Sequence, residues 1–179
     1  MKIKPLPPAK YLRECFDYKP KTGSVFWRHR PRRHFADTWH WKVWNVRYAG
    51  TLAGTPDRHA HLVIRLGGVH YQAHRLIWKI VTGKDPSSTV DHEDCKGMHN
   101  HWNNLRVANM TEQKWNTTRK KNKTSGYRGV RRSLQKWNAR IKINGVECHL
   151  GNFSTAKQAS AAYEAVARKL HGKFYRAVA

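Results

Sequence analysis

The chain has 179 residues, room for one compact domain or two small ones, and sets 35 Lys and Arg against 11 Asp and Glu, a formal charge of +24. An excess of that size repels itself in a compact state unless a polyanion is the partner. Nucleic acid is the expected one, because neutralising its phosphates releases condensed counterions; a ribosome-associated, RNA-binding role is the plainer alternative.

Cys15, Cys95 and Cys148 are odd in number and lack CxxC spacing, so neither a disulfide framework nor a Cys-rich zinc site is expected. No run is long and apolar enough for a signal peptide or a membrane span. The expected setting is therefore the cytoplasm, with no membrane and no small-molecule substrate as partner.

Residues 1 to about 70 read as a small β region. Pro20-Lys21-Thr22-Gly23 precedes Ser24-Val25-Phe26-Trp27, and Gly67-Gly68 separates His61–Leu66 from Val69–Ala73; both predict hairpins. Between them lies a basic, aromatic region with Arg28, Arg30, Arg32, Arg33, Trp39, Trp41 and Trp44. Cations among planar rings suit phosphate pairing and base stacking. In a chain short of Leu and Ile, however, most of these tryptophans are expected in the core, which leaves the arginines as the better nucleic-acid candidates. Ala73–Thr82 has apolar residues at 76, 77, 80 and 81, the spacing of an amphipathic helix, and Gly83 is placed to cap it.

Chemistry concentrates in Val90–Asn116, VDHEDCKGMHNHWNNLRVANMTEQKWN. Cleaving a phosphodiester needs an activated water and a cation to neutralise the charge that builds on phosphorus. Asp91 offers the hard oxygen that Mg²⁺ or Mn²⁺ prefers, and His92 has the pKa of a general base near neutrality. Neighbours in a strand point to opposite faces, so the two can serve one phosphate only where the strand ends or twists. Asn109-Met110-Thr111-Glu112 resembles a capping box that opens a helix. On that helix Gln113 and Asn116 share a face and offer amide oxygens to a metal. A zinc set of His92, Cys95, His99 and His101 matches no usual four-ligand spacing.

Thr117–Gly126 has no apolar residue and reads as a linker, with Arg119, Lys120, Lys121 and Lys123 as candidate phosphate contacts. Extended, it would reach roughly 33 Å, about one turn of duplex DNA. No acid occurs between Gln113 and Val146, so linker and next unit form one positive track.

Beyond it, Trp137, Ala139, Ile141 and Ile143 alternate with Asn138, Arg140, Lys142 and Asn144, a strand with one buried and one wet face. Asn144-Gly145 predicts a two-residue hairpin loop pairing Ile143 with Val146, Lys142 with Glu147, Ile141 with Cys148 and Arg140 with His149. Ser154 or Thr155 caps a helix with Ala159, Tyr163, Val166 and Leu170 on one stripe and Gly172 as the stop. The sheet face away from that helix carries Arg140 and Lys142, and a β-ribbon fits the DNA major groove.

The Asp-His pair, the Asn104-Leu105-Arg106 triplet, the following Asn-bearing helix and the upstream AHRLIW together resemble the HNH nuclease motif, over roughly residues 72–118. The variant is that of phage and intron-associated homing endonucleases. The resemblance implies a ββα-metal core in which His92 is the general base, Asp91 a metal ligand, and Asn104 the residue that holds the loop and orients the base. Gln113 stands where the family usually has Asn or His, with Asn116 the alternative ligand.

SGYRGV, KWNARI, HLGNFSTAKQASAAYEAVA and HGKF likewise resemble an AP2 DNA-binding domain. That likeness points to Arg128, Arg131, Arg140 and Lys142 in the groove, with Arg132 and Lys136 near the turn. Two third-strand positions, Glu147 and His149, depart from its usual Arg and Trp. Glu147 is expected to pair across the strands with Lys142.

The expected whole is an α+β chain. Residues 1–116 form the N-terminal β region plus nuclease domain, 117–126 the basic linker, and 127–179 a three-stranded antiparallel sheet on one helix. Its expected activity is Mg²⁺- or Mn²⁺-dependent cleavage of double-stranded DNA by a monomer, in the setting of a phage and its host cell. The alternative is a non-catalytic DNA-binding regulator on a degenerate scaffold, which Gln113 favours.

Overall fold

Short apolar runs broken by glycine and proline build small antiparallel sheets in this chain, and helices stand between them. The computed structural model describes residues 4–116, 122, 124–143 and 145–175. The chain divides into two units, Met1–Asn109 and Met110–Ala179.

The first unit opens with helix α1 (Ala9–Cys15) and the hairpin of β1 (Phe16–Lys19) and β2 (Ser24–Trp27), with Lys19 opposite Ser24. Helix α2 (Thr38–Tyr48) follows. Strands β3 (Thr55–Pro56), β4 (Leu62–Leu66) and β5 (Val69–Gln72) then make a three-stranded sheet in that order, with the predicted turn at Gly67-Gly68. Helix α3 (Ala73–Thr82) ends where expected: Gly83 adopts φ 77° and its N–H donates to the Lys79 carbonyl at 2.9 Å. Strands β6 (Thr89–His92) and β7 (Leu105–Ala108) pair antiparallel, setting Asp91 opposite Arg106 and His92 opposite Leu105. One core joins these pieces: Leu12, Phe16, Val25, Ile64, Leu76, Ile77, Val90 and Leu105 are all buried within it. Each such side chain contributes on the order of 1.5–3 kcal/mol.

The expectation of a purely β region before residue 70 is corrected by α1 and α2. Trp, Val and Tyr are weak helix formers, so α2 depends on what surrounds it. Asp37 caps it, accepting the His40 N–H at 2.8 Å. Its inner face packs on Arg30, which is only 7% exposed. Asn45 accepts the Arg30 N–H, and both the Asn45 amide and the Trp41 indole donate to the Arg30 carbonyl. The Arg30 guanidinium lies 4.8 Å from the Phe35 ring and 4.9 Å from the Trp44 ring, and donates to the Tyr11 hydroxyl.

The other arginines of this region are also engaged within the unit. Arg28 bonds the Phe16 carbonyl, Arg32 bonds Thr38 and the Phe35 carbonyl, and Arg33 pairs with Glu14. Trp39, by contrast, is 66% exposed. Trp41 and Trp44 are half-buried, as expected of most of these rings, while Arg28, Arg32 and Arg33 stay exposed alongside their internal bonds.

The second unit opens with α4 (Met110–Trp115), and the Trp115 ring stacks on His171 with centroids 4.5 Å apart. Strands β8 (Val130–Ser133), β9 (Lys136–Ile143) and β10 (Val146–Phe153) form a sheet with β9 in the centre. The β9–β10 register is Ile143–Val146, Lys142–Glu147, Ile141–Cys148 and Arg140–His149, as the two-residue loop requires, with a bulge between His149 and Gly151. Asn144 itself lies outside the described residues, as do Arg119, Lys120, Lys121 and Lys123 of the linker.

Helix α5 (Ala156–His171) carries a full capping box between Thr155 and Gln158. Its buried stripe is Ala159, Ser160, Tyr163, Ala167 and His171; Leu170, expected on it, is 41% exposed. The small residues bring α5 close to the sheet, where Val130, Ala139 and Ile141 are buried.

Candidate active site

Strand β6 ends at His92, so its last two residues sit at the mouth of the loop that returns to β7. His92 is 5% exposed. Its Nε2 lies 3.1 Å from Oδ1 of Asn100, and the Asn100 amide nitrogen donates to the Met98 carbonyl at 3.2 Å. That second bond fixes the amide so that an oxygen faces the ring. Nε2 must therefore carry the hydrogen and donate, which places the imidazole lone pair on Nδ1. Burial lowers the His92 pKa, opposed by the Asn100 bond and aided by the nearby His61. The imidazole is thus neutral at physiological pH, the form that accepts a proton.

Two further imidazoles surround it. The His74 ring, near the start of α3, stands edge-on at 5.0 Å, and the His61 ring lies at 6.0 Å. His74 is half-buried with its Nδ1 enclosed and without a hydrogen-bond partner, and desolvation there brings its pKa down to about 3. These neighbours were not legible in the sequence, which placed no histidine outside Val90–Asn116 at the site.

Asp91 pairs with Arg106, whose Nε and Nη2 both reach Oδ2 at 3.3 Å, and the two side chains are 15% and 13% exposed. Cross-strand register is the cause, since Asp91 and Arg106 are directly opposite. Asn104 is buried and ties the loop together: its oxygen accepts the Asp94 N–H at 3.0 Å, and its nitrogen donates to Asp94 Oδ1 at 2.9 Å and to the His99 carbonyl at 2.7 Å. Asn100, whose side chain bonds His92, was not singled out by the sequence among the nearby asparagines. Burial works against the charge of Asp94, but the Lys96 N–H, Asn104 and His99 hold its carboxyl down at about 2.

Among the described residues, no three His, Cys, Asp or Glu side chains gather as a metal site. Of the zinc set, His99 Nδ1 pairs with Asp94 at 2.6 Å, His92 bonds Asn100, and Cys95 is exposed. Gln113 is half-buried on α4 and Asn116 is buried just past it; both belong to the second unit rather than to the unit that holds Asp91. An open depression of about 680 Å³, lined by Asp17, Trp27, Arg28, His29 and others, includes no residue of the Asp91–Asn104 stretch.

In the second unit, register puts Arg131, Lys136, Arg140 and Lys142 on the sheet face away from α5, and all four are exposed. Arg132 falls on the other face, with its guanidinium 5.7 Å from the Trp137 ring. Arg128 is half-buried, its Nη1 enclosed without a hydrogen-bond partner. Glu147 lies opposite Lys142, but the ion pair it makes is diagonal, with Arg140 at 3.7 Å. Arg140 Nε also donates to Asn138 at 2.6 Å, and Asn138 in turn bonds His149 and Asn152. The outer face therefore holds a polar network in which Arg140 is pre-set.

No known family profile matches the chain, and no solved structure matches it. Two curated proteins do. The chain is 35% identical over 106 residues to a protein of Acanthamoeba polyphaga mimivirus named as an uncharacterized HNH endonuclease. It is 27% identical over 106 residues to a protein of Escherichia phage T7 named Protein 3.8. The first match covers 58% of this chain and 54% of the mimivirus protein, so the chain spans about half of that relative's length; the second covers 87% of the phage protein. Similarity to a protein of that name supports an HNH-type nuclease in general terms. No described helix is long and apolar enough to cross a membrane.

Proposed function

We propose that this chain is a metal-dependent DNA endonuclease of the HNH homing type. The observation that carries the reading is His92: a buried neutral imidazole at the end of β6, its Nε2–H held by Asn100, adjacent in the chain to a carboxylate. Nδ1 of His92 accepts the proton of the attacking water, and Asn104 keeps the loop in the shape that presents it.

Asp91 is the residue that would hold Mg²⁺ or Mn²⁺. A hard cation needs only one or two carboxylates when substrate phosphate completes its shell. The metal, when bound, supplies charge to the scissile phosphate and its leaving oxygen. Duplex DNA is the substrate and the second unit the recognition module, with the exposed cations of its outer sheet face laid against the groove.

His92→Ala should lower metal-dependent cleavage by about 10²–10⁴-fold and leave DNA affinity nearly intact. A variant that cuts at the wild-type rate would sink the assignment. The Asp91–Arg106 pair favours a second reading, a DNA-binding regulator whose carboxylate is already neutralised. Incubating plasmid DNA with the protein and Mg²⁺, or with EDTA, separates the two: a regulator leaves no metal-dependent nicks.

A further inference from the structure

The β1–β2 hairpin lies far from His92 in sequence, yet its turn presses on the loop that holds the imidazole. Tyr18 donates from Oη to the Asn100 carbonyl at 2.8 Å, and the Trp102 N–H donates to the Pro20 carbonyl at 2.9 Å. Gly23 fills the space between. A Cβ built there would fall 2.4 Å from the His101 nitrogen and 2.5 Å from the Asn100 carbonyl carbon, and the residue adopts φ 79°. Only glycine allows that approach and that backbone.

Asn100 is 1% exposed and makes the bond to His92 through its side chain. The hairpin itself is anchored, since Phe16 and Val25 are buried in the main core. From a second direction the Trp102 ring meets Trp78 of α3, with centroids 5.2 Å apart. The loop is thus clamped between two elements of the core, and the peptide that bears Asn100 has nowhere to shift without losing a hydrogen bond.

We infer that the β1–β2 turn is a positioning element for the active imidazole: Tyr18 and Gly23 fix the backbone of Asn100, and Asn100 fixes the tautomer and orientation of His92. The contacts follow from geometry alone; their meaning for catalysis rests on the nuclease reading above. Of the two bonds to the turn, Tyr18 is the more telling. Removing its hydroxyl changes one partly buried hydrogen bond and leaves the packing of the ring in place.

The test is ¹⁵N NMR of the histidine rings in the full chain, with His92 assigned by its loss in His92→Gln, for wild type, Tyr18→Phe and Asn100→Ala. Wild type should show the Nε2-protonated tautomer at His92. Asn100→Ala should convert the signals to those of exchanging tautomers, and Tyr18→Phe should move them part of the way. In cleavage assays with Mg²⁺, Tyr18→Phe should lower kcat about 5–10-fold with KM and DNA affinity unchanged. Gly23→Ala should do so more strongly wherever it folds.

A Tyr18→Phe protein with His92 signals and kcat both like wild type would overturn the inference, as would an Asn100→Ala protein with unchanged ring signals. His92 signals that move in Tyr18→Phe and Asn100→Ala, together with a wild-type protein that cuts nothing, would uphold the clamp and reject the nuclease reading.

Discussion

Lowering the pH from about 7.5 to about 5 should remove about 2 kcal/mol from the stability of the first unit through one side chain, His74. Burial, and after it the charges of His92 and His61, hold its folded pKa at about 3, against about 6.5 in the unfolded chain. Between those values the unfolded chain binds a proton that the folded unit refuses. The stability His74 confers is therefore complete above about pH 6.5 and is lost as pH falls from there toward about 3, at about 1.4 kcal/mol per pH unit. The loss at about pH 5 is the same for a folded value one unit higher, because both lie below the window.

Urea unfolding followed by tryptophan fluorescence, for wild type and His74→Gln at both pH values, measures it. Gln does not titrate, so the acid-induced drop should be smaller in the variant by about 2 kcal/mol, whatever the substitution does near neutrality. His34 and His92, also lowered by burial, act in both proteins and largely cancel in the difference. Equal drops in the two proteins would refute burial as the cause of His74's neutrality.

Asn104→Ala removes three hydrogen bonds from a buried loop and should cost about 2–4 kcal/mol, read as a lower urea midpoint for the first unit with cleavage reduced in parallel; a midpoint shift too small to measure would show the loop holds itself. Gly129→Ala asks a residue at φ 70° to carry a Cβ that would lie 2.2 Å from the Tyr163 ring, and should destabilise the second unit by about 2–4 kcal/mol in thermal or urea melts. Replacing Arg140 and Lys142 together by Ala should weaken duplex binding and reduce the slope of log affinity against log salt by about 1–2. An unchanged slope would take the outer sheet face out of the DNA interface.

What the sequence made legible is what local rules decide. The β9–β10 register follows from Asn-Gly and strict alternation, and α3 and α5 from their stripes and caps. Helix α2 stayed hidden because Trp, Val and Tyr favour strands by composition and its polar and apolar residues fall all round; the cap at Asp37 was the one available signal. At the site, Asp91 and His92 were readable as types but their partners were not. Asn100 differs from Asn103 and Asn104 only in where the loop folds, and His61 and His74 reach His92 from a separate strand–turn and helix. The diagonal Glu147–Arg140 pair likewise depends on side-chain reach across a twisted sheet, which opposition in register does not settle.

The division of charge gives the proposed reaction its electrostatic logic. The first unit holds nineteen Lys and Arg against eight Asp and Glu, the second sixteen against three in a shorter stretch. In the first unit the acids are largely matched at close range: Glu14 with Arg33 and His34, Asp17 with Lys19, Asp85 with Lys79, Asp91 with Arg106. The second carries a net +13 in a shorter stretch and the first a net +11, so positive charge is denser in the second while both add to the long-range field on a polyanion.

A phosphate reaching His92 meets a different field. Asp91, Glu93 and Asp94 put three carboxylates into four residues, with Arg106 paired to Asp91 and His99 to Asp94. Carboxylates so dense repel a phosphodiester unless a divalent cation stands between them. On the nuclease reading, the binding unit therefore brings DNA to a place that disfavours it without metal. Removal of the ion should abolish cutting while most of the affinity, held by the second unit, survives.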